Sequence, residues 1–141
     1  MKEVKVYEFD PVIYPRLLWV SIAPSLEVLN EHFLIDGPAD ANPFGVGADV
    51  FGCVTRVILR RGEKYGALMV INKRSYVVPS LIAHEAVHVA DLFFEQLGIE
   101  KGCFSDGNES YAYLVDFVVR SFYTAYYGDS RAVVLENPWH H

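Results

Sequence analysis

The sequence predicts an α+β fold, a small antiparallel sheet backed by two long packed helices that carry the functional site. Strand-length runs of alternating or apolar residues fill the first half of the chain. Two long apolar stretches, each with one narrow polar stripe, fill the second half. Segments rich in Gly, Pro, Asp and Asn separate these elements without forming a linker, so residues 1–141 read as one domain. With 52% hydrophobic and 14% aromatic residues the chain can bury a real core, and with 21% charged residues it is not a disordered polymer.

Val4–Glu8 alternates and Leu17–Ile22 runs apolar, with Pro11 and Pro15 between them, which reads as two strands. Ser25 precedes Leu26, Leu29 and Phe33 and caps a short helix to about His32. Asp36–Gly47 is a loop; its glycines lack the Gly-Lys-Ser/Thr sequence of a phosphate loop. Cys53–Arg60 and Tyr65–Asn72 form a hairpin about the turn Arg61–Lys64, and Gly66–Asn72 reads equally as an edge strand leading to the helix that follows or as an ordinary core strand. Ser80 is the expected N-cap of a helix over Leu81–Leu97 that stops at Gly98. After the loop Gly98–Asn108, a second long helix runs from Glu109 to Tyr127, and the apolar tail packs back on the sheet.

Charge narrows the range of partners. Twelve Lys and Arg stand against 18 Asp and Glu, a net charge of -6, which offers no footprint for nucleic acid or an anionic membrane. No stretch is long and charge-free enough to span a bilayer, and the N-terminus lacks the apolar core of a signal peptide, so a cytoplasmic location is expected. Cys53 and Cys103 are too few for a disulfide framework and read as buried thiols in a reducing compartment.

The chemistry is concentrated in His84-Glu85-Ala86-Val87-His88, an H-E-x-x-H pattern on the first long helix. Residues four apart share a helix face, so both imidazoles can reach one ion at the roughly 2.0–2.1 Å that zinc requires. Glu85, about 100° around the helix, stands beside the ion, placed to take a proton from an activated water as general base. A third protein donor would leave one position open. Glu109 comes from a separate element and can complete a tetrahedron, whereas Asp91 would fold back along its own helix, so Glu109 is preferred and Asp91 is the alternative.

The helical wheel adds to this. His88, Asp91 and Glu95 lie within about 40° of His84, and Tyr113, Asp116 and Arg120 lie within about 40° of Glu109. If both helices are buried, their polar stripes are expected to meet. Asp91 or Asp116 would then accept a hydrogen bond from a ligating imidazole, and Arg120 would neutralise the remaining carboxylates. His32, His140 and His141 are not expected to be ligands.

His84-Glu85-x-x-His88 followed by Asn108-Glu109 resembles the active-site signature of the gluzincin metallopeptidases, the thermolysin type of zincin. Twenty residues separate His88 from Glu109, close to the spacing in that family. The resemblance spans Asn72–Val119, about a third of the chain, and Tyr111–Val119 also resembles a segment of short metallopeptidase-like proteins carried by phages and prophages. It implies a minimal zincin-like fold with Zn2+ on His84, His88 and Glu109. It also implies a peptide or protein substrate, and hydrolysis with Glu85 as base. Two features depart from the family: the Asp that follows the ligand Glu is here Asp116, seven positions on, and the transition-state histidine has no counterpart. Tyr113 and Arg120, with Tyr111 and Tyr76, are the candidates for that stabilising role. The alternative function is a non-catalytic binding module in which the site holds zinc structurally or is degenerate.

Overall fold

The computed structural model describes residues 3–37, 51–128 and 132–136. The loop expected over Asp36–Gly47 falls largely outside them, as do the end of the tail and His140 and His141. Six strands form one sheet in the order β3-β4-β5-β2-β1-β6: β1 Glu3–Phe9, β2 Leu17–Ile22, β3 Phe33–Ile35, β4 Gly52–Leu59, β5 Lys64–Ile71 and β6 Ala132–Glu136. Three helices accompany it: α1 Leu26–His32, α2 Pro79–Leu97 and α3 Glu109–Tyr126. The α+β class and the two long helices are as the sequence predicts.

The sheet is mixed, not wholly antiparallel. Two hairpins, β1–β2 and β4–β5, abut through their second strands, which run in the same direction, so β2 and β5 pair in parallel. Gly66 sits opposite Leu17 in that pairing, and a Cβ there would run into the Leu17 backbone. The remaining pairings, β1–β6 and β3–β4, are antiparallel.

Alternation divides the strands between two cores. Phe9, Leu18, Val20, Met69 and Ile71 face α2 and α3, while Val6, Trp19, Val57, Leu68 and Val70 face the side of α1. Residues 67–71 of β5 are therefore buried on both faces. Of the two readings open for Gly66–Asn72 the core strand holds: β5 lies inside the sheet between β4 and β2, and both β4 and β5 pack against α2.

Helix α2 begins at Pro79, with Val78 as its N-cap, two positions earlier than the expected Ser80 cap. Pro suits the first helical position because its missing N–H would have no partner there. The helix ends where Gly98 takes up φ 66°. It buries Ile82, Ala86, Val89, Ala90 and Phe93, a stripe at helical spacing, and exposes Ala83, His84, Val87 and His88. An apolar sequence all round had suggested burial all round; the sheet and α3 cover only one side. Helix α3 likewise buries Leu114, Val118, Phe122 and Ala125. Both cysteines are free thiols, but only Cys53 is partly buried; Cys103 is exposed, contrary to expectation.

Candidate metal centre and groove

One turn of α2 separates His84 from His88, and their Nε2 atoms stand 3.2 Å apart. Two nitrogens bound to one tetrahedral zinc at 2.0–2.1 Å are about 3.3 Å apart. The rings thus converge on one point with the separation a shared ion requires; a direct imidazole hydrogen bond would give the same distance. Both rings are exposed, so that point is reachable from solvent.

Glu85 lies on the inner side of the same turn and is only 6% exposed. Burial pushes its carboxyl above the usual carboxylate range, and the two neighbouring imidazoles pull it partly back. A base with raised affinity for a proton, beside a pair of metal donors, is equipped to deprotonate water. Gly52 on β4 faces this carboxylate: a Cβ at position 52 would lie 3.8 Å from Glu85 Cγ.

Two cavities flank the histidines. One of about 430 Å³ is lined by Phe51, Gly52, Ser80, Leu81, His84 and Glu85. Phe51 packs edge-on against Tyr76, 4.6 Å between ring centroids, and gives this end an apolar wall. The other, about 730 Å³, runs from His88 past Asp91 and Leu92 to Glu95, with Thr55 and Arg56 of β4 opposite. Arg56 Nη2 reaches across to Glu95 Oε1 at 3.2 Å.

Between them lies a strand edge that no described strand covers. The Asp36 N–H donates to the Arg56 carbonyl on the side away from β5. Alternate residues of an antiparallel strand point their backbone groups the same way. Gly52 and Val54 therefore present N–H and C=O on that edge, where β3 pairs only with residues 57–59 and no other described strand follows. The signal for this edge in the sequence was weak, since Cys53–Arg60 reads as one half of an ordinary hairpin.

Asp91 stands one turn beyond His88. The Tyr111 hydroxyl donates to its Oδ1 over 2.7 Å, and Lys101 Nζ donates at 3.2 Å. The tyrosine bond, with smaller help from Lys101, holds the Asp91 carboxyl below the usual range against a modest opposing effect of burial. Desolvation, and after it the same bond to Asp91, push the Tyr111 hydroxyl up.

The expected seam between polar stripes does not form. Asp116 and Arg120 pair with each other at 3.1 Å along the exposed side of α3. Tyr113 is exposed and lines a separate apolar hollow with Ile13, Tyr14 and Phe117. Glu109 is exposed in the first turn of α3. Tyr111, two positions on, is the residue of this turn that reaches α2, through the bond from its hydroxyl to Asp91. Among the described residues no three His, Cys, Asp or Glu side chains stand together as one metal-binding group. His84 and His88 suit a zinc ion as two donors, and no described residue stands with them as a third.

Compared with known proteins, the chain matches no family model, no curated protein and no solved structure.

Proposed function

We propose that the chain is a zinc-dependent peptidase in which His84 and His88 hold the metal and Glu85 acts as general base. The convergence of the two Nε2 atoms to 3.2 Å beside a buried carboxylate carries this conclusion. Glu109 is the proposed third donor and Asp91 the alternative. When bound, zinc polarises a carbonyl and acidifies water. The chain's own part is to orient an extended substrate on the β4 edge at Gly52 and Val54, to seat one side chain against Phe51 and Leu81, and to receive and return a proton at the Glu85 carboxylate. The net charge of -6 gives no electrostatic support for binding nucleic acid, and among the described residues no helix is long and apolar enough to cross a membrane. A cytoplasmic location and a peptide or protein substrate belong to the same proposal.

That no three metal-binding side chains stand together among the described residues favours one second function, a degenerate or zinc-stabilised binding module without turnover. Zinc content and peptide hydrolysis by wild type and Glu85→Gln separate the two. A peptidase loses turnover in the variant with its zinc retained; a binding module shows no Glu85-dependent hydrolysis at all.

A further inference from the structure

Two imidazoles fill half of a zinc ion's coordination sphere, and no described residue stands with them as a third donor. We infer that the same pair on a second copy of this chain supplies the other half. Where zinc is scarce, one ion held by His84 and His88 of each copy links two chains into a symmetric dimer. This goes beyond the peptidase proposal, since it concerns binding and needs no turnover.

The pair is placed to share an ion with a group outside its own chain. Its Nε2 atoms already stand 3.2 Å apart, and both rings lie on the exposed side of α2. A two-fold axis through the ion brings the same two nitrogens from the other copy. That makes four, the number a closed zinc site takes. Opposite edges of a tetrahedron are perpendicular, so the two helices would cross steeply and touch over about one turn on each side of the ion.

What surrounds the histidines decides whether a second copy can come that close. The other exposed side chains from Val78 to His88 are Val78, Pro79, Ser80, Ala83 and Val87, all uncharged and none larger than valine. Glu85, the charged group in that stretch, is turned inward and buried. Each chain carries a net charge of -6, so two copies repel on approach, and a neutral patch is where they meet at least cost. The carboxylates farther along the helix are already matched, Asp91 by Lys101 and Glu95 by Arg56. Val78 and Val87, 47% and 40% exposed, add a little apolar contact. A contact this short falls well below the roughly 1,200 Å² that a stable interface buries, so the dimer depends on the metal. Four nitrogens leave no position on the ion for water, which makes the dimer the silent form of a peptidase. Excess zinc gives each pair its own ion and restores the monomer.

The test is sedimentation velocity of the full chain with a chelator, with one zinc per two chains, and with zinc in excess, alongside the metal content of each species. The expected sequence is monomer, then a species of doubled mass holding one zinc per two chains, then monomer again. His84→Ala and His88→Ala stay monomeric throughout, with circular dichroism to confirm that these exposed substitutions leave the fold intact. Glu85→Gln and Glu109→Ala dimerise as wild type does. A chain that binds zinc yet stays monomeric at every ratio overturns the inference and leaves the peptidase proposal standing, as does a dimer that persists in chelator or in His88→Ala. A zinc-linked dimer together with hydrolysis that does not depend on Glu85 does the reverse. No zinc binding at all overturns both.

Discussion

The Tyr111 hydroxyl meets the Asp91 carboxylate at 2.7 Å and so ties α3 to α2 one turn beyond His88. The tyrosine ring packs edge-on against Phe94, 5.4 Å between centroids, with the Lys101 ammonium 5.2 Å from its centre. This contact sets which face of α3 looks inward, and with it where Glu109 points.

Tyr111→Phe should therefore cost about 1 kcal/mol at neutral pH, the worth of one hydrogen bond to a half-exposed carboxylate. Asp91 is held below its ordinary pKa in the folded state. Its contribution is present above the unfolded value, near 3.9, and is lost as pH falls through the folded one. Urea melts of wild type and variant should differ at pH 7 and converge in acid; a gap that is constant with pH would show that the bond does not act through Asp91 ionisation.

Zinc should bind near one per chain and raise Tm, and a chelator should reverse the shift. His84→Ala and His88→Ala should each lose most of the affinity. Of Glu109→Ala and Asp91→Asn, the one that weakens binding identifies the third donor; calorimetric titration of the four variants reads this directly.

Glu85→Gln should reduce peptide hydrolysis by about 100-fold or more while leaving zinc affinity close to wild type. Full turnover in the variant would remove Glu85 from the chemistry.

The two thiols should differ in reactivity. Burial pushes Cys53 up to about 11, so at pH 8 almost none of it is thiolate. Cys103 is exposed on the loop before α3. Timed labelling with a chromogenic disulfide should modify Cys103 first and Cys53 only on unfolding; equal rates would show that Cys53 is open to solvent.

Gly66→Ala should destabilise the fold by about 3 kcal/mol, because the added methyl meets the Leu17 backbone across the parallel β2–β5 pairing. Chemical denaturation measures it. A loss below about 1 kcal/mol would mean the two hairpins can part without cost.

Much of this protein is local and so was readable in order. The spacing of His84, Glu85 and His88 put two imidazoles on one helical turn, and Gly98 and the apolar stripe marked where α2 stops and what it buries. Those features depend on about four residues of chain at a time, where the helical period is decisive. Ser80 was passed over as a cap because Pro79 could start the helix sooner, again a local effect that a closer look at the proline predicts.

Tertiary structure alone decided the rest. The order of two hairpins within the sheet made β2 and β5 parallel and buried β5, leaving the edge at Gly52 and Val54 to β4. Rotation of α3 about its axis sent Tyr111 to Asp91 and left Glu109, Tyr113 and Arg120 on the outside. A helical wheel gives the angle between residues on one helix but not the helix's rotation against its neighbour. That rotation follows from which apolar side chains fill the space between them, here Leu114, Val118 and Phe122.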